Sequence, residues 1–402
     1  MRQVATTGDL HIGNVRPMGG AATSVTVRGG LVAAFGGAAP EGLETVDGGG
    51  AILIPGLVEA HTHLDKTLIG MDWYRNEVGP RLIDKIENER AQKRLLGIEP
   101  ARQSARQALL SVALGSTHIR SHVDVDTEIG LAGIEGVLET RERYRGIVDI
   151  EIVAFPQSGM LIRQGTVELM EQALKLGAQV VGGLDPSAID RDPKGHLDVV
   201  FGLAERYGRP VDIHLHETAE LGAFSMELII ERTKALGMQG KVTVSHAFCL
   251  GMTDQDYVAS LIDQLAEARV HILTTAPAFK SAPPVKRLVD AGVVVGAGSD
   301  GVRDTWGPYG NADMLERAVF VGLRNNFRRD DEVALALDVC THGGARMMEL
   351  EGYGLEPGCK ADLVLLEGET LAEAIVSRRK RKFVVKTGRI VARDGEALLK
   401  AP

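Results

Sequence analysis

The stretch Ile52-Leu-Ile-Pro-Gly-Leu-Val-Glu-Ala-His-Thr-His63 is an apolar, β-like run that ends in two histidines one residue apart. Alternation along a strand puts His61 and His63 on one face, so both imidazoles can reach one cation. Imidazole is the commonest metal ligand, yet a lone H-x-H pair is a weak signal. Its meaning depends on what else the chain places beside it.

Runs of the same texture recur. Ala51–His61 is followed by Thr117–Asp124, Val148–Phe155, Gln179–Leu184, Val211–His214, Lys241–His246, Val270–Thr275 and Val293–Gly298. Each is near-continuously apolar, as strands covered on both faces are. Stretches of helical period lie between them: Arg81–Leu114 with a break near Gly97 and Pro100, Val167–Leu176, Leu197–Tyr207, Ala219–Leu236 and Asp254–Ala268. Eight βα units predict an α/β chain whose parallel sheet closes as a (β/α)₈ TIM barrel. The ends differ, with Gly-rich segments and short runs at Ser24–Arg28, Leu31–Phe35, Ala361–Leu366 and Phe383–Val391. Neither end is long enough to stand alone, which predicts a small β-sandwich subdomain from residues 1–50 and 355–402 around a catalytic barrel of residues 51–354.

In such a barrel the C-terminal strand ends share one mouth, where barrel active sites are built. The ionisable residues collect there. The first run ends in His61 and His63, the fifth in His214 with Glu217 just beyond, the sixth in Ser245-His246 and the last in Ser299-Asp300. Four strand ends carrying metal-binding or proton-transfer side chains predict a metal site.

Composition narrows the rest. Across 402 residues, 44% hydrophobic and 25% charged content fit a soluble globular protein, and a net charge of −9 with 4% aromatics argues against a nucleic-acid surface. The basic cluster Arg378-Arg-Lys-Arg-Lys382 is isolated. No signal-like start or apolar span of membrane length is visible, so a cytoplasmic enzyme with no membrane partner is expected. Cys249, Cys340 and Cys359 form no C-x-x-C pair and read as small structural residues. Gly296-Ala-Gly-Ser-Asp-Gly301 satisfies G-x-G-x-x-G, but the breaker-rich Val302–Gly310 follows where a long helix should open, which speaks against a dinucleotide turn.

Taken together, Pro55-Gly-Leu-Val-Glu-Ala-His61-Thr-His63, His214, His246 and Asp300 make the chain resemble the amidohydrolase superfamily over nearly its whole length. Within it, the chain is similar to bacterial cytosine deaminase and its relatives that act on pterins and triazines, N-isopropylammelide among the latter. The likeness is carried by His61-Thr-His-Leu-Asp-Lys-Thr67, Arg120-Ser-His-Val-Asp-Val125, Ile152-Val-Ala-Phe-Pro-Gln157, His214-x-x-Glu217, Ser245-His246 and Asp300-x-x-x-Asp-x-Trp306-x-Pro-x-Gly310.

The resemblance implies that His61, His63, His214 and Asp300 hold one divalent metal ion, Zn²⁺ or Fe²⁺, with a water in the open position. No mouth lysine stands where binuclear members carry a carbamylated bridge. The implied reaction is hydrolytic deamination of a nitrogen heterocycle, the ionised water attacking the amino-bearing ring carbon and ammonia leaving. Asp300 would accept the water's proton and orient the nucleophile, Glu217 would shuttle a proton to the leaving nitrogen, and His246 would polarise the atom under attack or stabilise the developing charge. Gln157 and Trp306 are expected to contact the substrate, though Gln157 could equally cap its own loop. His122 and Asp124 are expected to orient the ligands, while His216 alternates away from His214 if the strand continues and need not if the chain is already turning there. His118, His196, His271 and His342 carry no motif. A homo-oligomer is expected from the family alone. Two departures from the cytosine enzyme stand out: Lys66 replaces a threonine, and Gly301 replaces an acidic residue, which should remove a carboxylate and open space, so cytosine is not expected to be the best substrate. Hydrolysis of an N-alkylamino substituent or of a cyclic amide is the alternative reading. A non-catalytic, metal-free assembly protein is a remoter one.

Overall fold

The computed structural model describes residues 8–278 and 280–402. Its first four strands, β1 (Leu10–Pro17), β2 (Thr23–Arg28), β3 (Leu31–Phe35) and β4 (Thr45–Pro55), join the last four, β13 (Leu363–Leu366), β14 (Arg381–Lys386), β15 (Arg389–Arg393) and β16 (Glu396–Ala397), in one sheet ordered β16-β15-β14-β13-β4-β1-β2-β3. Both chain ends therefore build one subdomain. Alternation sorts its side chains between two cores. Leu53, Leu363, Leu365, Phe383 and Val385 pack into the sheet's own core, whereas Ile52, Ile54, Val364, Leu366 and Val384 pack into that of the barrel.

The barrel strands are β5 (Leu57–Thr62), β6 (Ser116–Asp124), β7 (Asp149–Phe155), β8 (Val180–Leu184), β9 (Val211–His214), β10 (Val242–Ser245), β11 (His271–Thr274) and β12 (Val295–Ala297), paired in parallel in that order. The circle closes just past β12, where Asp300 N donates to His61 O at 2.9 Å and Thr62 Oγ1 donates to Asp300 O at 2.9 Å. The eight-stranded barrel is as the sequence predicts, with one correction. Ala51–His61 is not one strand: its first part belongs to β4 in the terminal sheet, and only Leu57 onward enters the barrel. The joint is Gly56, where a Cβ would overlap the side chain of Thr117 on the neighbouring barrel strand. Both pieces are buried on two faces, so hydropathy alone cannot separate them.

The long candidate Arg81–Leu114 resolves into helices Leu82–Leu95 and Pro100–Ala113, the second with Pro at its first turn. The first of them is an insertion between β5 and β6 that lies over the mouth. Among the described residues no helix is long and apolar enough to cross a membrane.

Candidate metal centre and active site

Each expected ligand reaches the mouth by its own backbone route. His61 is the penultimate residue of β5, His63 lies just past it, and His214 is the last residue of β9. Asp300 and His246 follow their strands in left-handed conformation, φ 64° and 71°. Such φ values are uncommon outside glycine and mark functional turns; here they turn the two side chains inward. One ligand atom from each of His61, His63, His214 and Asp300 falls within 4.8 Å of the others.

Hydrogen bonding fixes which nitrogen faces that point. His63 Nδ1 lies 2.9 Å from the carbonyl of His122, which can only accept. Ser245 Oγ donates to Asp212 Oδ1 at 2.7 Å, so it accepts from His61 Nδ1 at 3.0 Å. Asp212 is anchored in turn by Arg120 at 3.1 Å. Both histidines thus present an Nε2 lone pair, the orientation that carboxylate-linked partners impose on metal ligands. His61 Nε2 and both nitrogens of His214 are buried and have no hydrogen-bond partner, and the His214 ring stacks on Phe155 with centroids 4.0 Å apart.

The electrostatics agree with neutral imidazoles around an ionised carboxylate. Burial pushes His214 and His246 well below the ordinary histidine value, the neighbouring imidazoles adding to it. Burial and then Lys66 bring His63 down to about 4. For Asp300, burial acts upward but His246, His61 and His63 outweigh it and hold the carboxyl well below its usual range. Orphaned, unprotonated nitrogens beside a carboxylate are what a divalent cation needs.

A second grouping, His61, His122 and Asp212, shares the His61 imidazole. With Nδ1 committed to Ser245, that ring has one lone pair to give. A third, His118, Asp149 and Asp362, surrounds the ammonium of Lys386.

The other expected residues divide. His246 stands 5.0 Å, ring to ring, from both His61 and His214, with its Nε2 unpartnered. Glu217 is buried and turned to the loop after β8: Oε1 accepts from Ser187 N at 2.8 Å and Ala188 N at 2.7 Å, and Oε2 from Ser225 Oγ. Burial, the largest influence, raises its pKa. Gln157 gives Oε1 to Lys66 Nζ at 2.8 Å and does not cap its own loop through that atom. Trp306 spends its indole N–H on Glu89 at 2.8 Å. One open reading is decided and one expectation needs correction. His216 does not point away: β9 ends at His214, alternation stops there, and the His216 ring lies 4.3 Å from that of His246 with Nδ1 on Asp185 at 2.7 Å. Nor does Gly301 open space, because Asp304 Oδ2 occupies the place where a Cβ would stand.

Ser245 belongs to the Ser245-His246 pair, but Asp212, which holds Ser245 and through it His61, carries no motif of its own. Asp212 is nevertheless two residues before His214, and period-two alternation alone places it on the same inward face.

The sequence profile of the amidohydrolase family matches residues 44–392, most of the chain and all of the site. The chain belongs to the amidohydrolase family. Its members are metal-dependent hydrolases, and the chain is an enzyme acting on carbon–nitrogen bonds. It is similar to the crystal structure of N-isopropylammelide isopropylaminohydrolase from Burkholderia multivorans, at 51% identity and a TM-score of 0.94, covering 97% of this chain and 100% of that one. N-isopropylammelide isopropyl amidohydrolase from Pseudomonas sp. (strain ADP) is 32% identical over 87% of this chain and 88% of its own length. The structure of 5-methylcytosine deaminase from Klebsiella pneumoniae with 5-fluorocytosine aligns at 26% identity and a TM-score of 0.85, covering 97% and 99%.

Proposed function

We propose that this amidohydrolase cleaves the exocyclic C–N bond of an amino-substituted nitrogen heterocycle, water supplying the oxygen that stays on the ring and the nitrogen leaving as ammonia. The observation that carries the reading is the convergence of ligand atoms from three imidazoles and one carboxylate within 4.8 Å, with His61 Nε2 and both nitrogens of His214 meeting no hydrogen-bond partner. His61, His63, His214 and Asp300 would hold one divalent ion, Zn²⁺ or Fe²⁺, since three imidazoles and a carboxylate suit both. Such an ion supplies Lewis acidity and a water that ionises near neutral pH.

The remaining work falls to side chains. Asp300 takes the proton of the attacking water and orients it toward the ring carbon. Glu217, carrying a raised pKa, delivers a proton to the departing nitrogen, and His246 Nε2 faces the carbon under attack. Gln157 and Trp306 flank the ring's far edge. A second reading, in which the leaving nitrogen bears an alkyl group and departs as the alkylamine, is favoured by the 51% identity to the aminohydrolase from Burkholderia multivorans. The two readings share every residue and differ only in room beside the leaving group.

The test is direct. The purified protein should contain about one equivalent of divalent metal by elemental analysis and release ammonia or alkylamine from a panel of amino- and alkylamino-pyrimidines, pterins and triazines. His61→Ala combined with His63→Ala should empty the site, since two ligands do not offset the ion's hydration. Full metal occupancy in that double variant, or no amine from any ring with the metal-loaded protein, would overturn the reading.

A further inference from the structure

Lys66 is buried, three residues past His63, and its ammonium faces acceptors from Gln157, Glu89 and Asp124. It donates to Gln157 Oε1 at 2.8 Å and to the Asp124 carboxylate at 3.2 Å, and it is ion-paired with Glu89, whose Oε1 lies 3.0 Å away. Acceptors from three side chains ring the ammonium, which has only donors to offer them. The carboxylates around it have further partners. Glu89 Oε2 accepts from Trp306 Nε1, and Asp124 also pairs with Lys93 at 2.6 Å.

The consequence falls on Gln157. A side-chain amide can ordinarily turn over, offering either its oxygen or its nitrogen to a ligand. An ammonium can only donate, so the amide oxygen must face Lys66, and the amide nitrogen faces the other way. Among the described residues the Gln157 side chain makes its hydrogen bond through Oε1 alone, and Nε2 donates to no protein group. Gln157 stands two residues beyond Phe155, whose ring stacks on His214, so this free donor lies on the rim of the metal centre.

We propose that Lys66 is a positioning residue which, by locking the Gln157 amide, makes that side of the pocket donor-only and thereby selects rings that carry an exocyclic oxo oxygen there. The inference rests on the proposed function and deepens it: the substrate is an amino- or alkylamino-heterocycle whose other ring positions bear oxo groups. An exocyclic amino group at the same place would set N–H against N–H. A pocket donor left without an acceptor weakens binding by about 10- to 100-fold. The threonine that Lys66 replaces in the cytosine enzyme has no ammonium to lock the amide.

Binding tests this without requiring turnover. The metal-loaded protein is titrated by calorimetry with 1,3,5-triazine-2,4,6-trione and with 2,4,6-triamino-1,3,5-triazine, rings of one size with opposite substituents. The trione should bind about 10- to 100-fold more tightly. Gln157→Glu, which keeps the Lys66 contact but turns an acceptor toward the ring, should reverse the order with unchanged metal content. Lys66→Met should narrow the preference to a few-fold by freeing the amide, and Lys66→Arg should restore part of it; a purely structural lysine would lower the melting temperature and leave the ratio alone. Should Lys66→Met fail to fold, Gln157→Glu still decides. Equal or tighter binding of the triamine to the parent protein, or an unchanged ratio in Gln157→Glu, would overturn the proposal. Absence of amine release from every ring, with the trione still preferred, would instead fault the proposed reaction and leave the donor-only edge standing.

Discussion

At the scale of single residues, Glu217 shows how a side chain can be held by contacts that survive its own replacement. Two backbone N–H groups and Ser225 grip its carboxylate, and a glutamine can keep the first two through Oε1. It can keep the third because Ser225 Oγ also accepts and has a hydroxyl neighbour in Ser187 at 3.0 Å. Glu217→Gln should therefore retain fold and metal but lose the proposed proton carrier, lowering kcat by about 10²- to 10⁴-fold; steady-state kinetics with parallel elemental analysis checks it, and near-normal kcat would assign proton delivery elsewhere. His61, His63, His214, His246 and Asp300 were legible because each sits at or just past a strand end. What Lys66 does was not, because its partners at 89, 124 and 157 lie far along the chain. Gly301 misled for a similar reason: the carboxylate filling its place comes from Asp304, in a turn whose path is set by Asp304 accepting from Trp306 N and Gly307 N.

At the scale of elements, strands and helices followed from periodicity, and failure came where both faces of a strand are buried. The β4–β5 junction is the clearest case, since the apolar run from Ala51 onward crosses Gly56 without a change in texture. β1 escaped notice because its pattern breaks at a register shift between Ile12 and Val15. The strand β11 carries a titrating group of its own in His271, buried at the end away from the mouth. Burial, then Arg120 and Arg269, bring it to about 4. Its unfolded value is near 6.5, so below that pH the unfolded chain takes up a proton that the folded one refuses, and stability falls as pH drops from about 6.5 toward 4. The loss attributable to this residue is roughly 2 to 3 kcal/mol. Denaturation midpoints at pH 7 and pH 4.5 should fall further apart in the parent than in His271→Gln; equal gaps would exclude His271 as the source.

At the scale of the whole molecule, the terminal sheet and the barrel are joined by a buried charge cluster as well as by shared apolar strands. Lys386 on β14 donates to Asp362 at 2.8 Å, to Asp149 at the start of β7 at 2.7 Å and to His118 on β6 at 3.2 Å. Removing the cation leaves Asp362 buried beside an apolar stub, and breaking a buried pair from one side costs about 3 to 5 kcal/mol. Lys386→Met should shift the denaturation midpoint accordingly, while Lys386→Met with Asp362→Asn should recover part of the loss. Additive losses in the double variant would show that the two groups are not coupled.

The seal between Thr62 and Asp300 also fixes when a working centre can exist. His61 and His63 leave the ribosome early, His214 follows after another 150 or so residues, and the carboxylate that completes the set arrives only with the closing turn after β12. During vectorial synthesis the nascent chain therefore displays a bare histidine pair long before it can grip an ion in full. On the proposed ligand set, capture of the ion is tied to barrel closure, and a chain stopped short of residue 300 should exchange its metal freely where the finished protein does not.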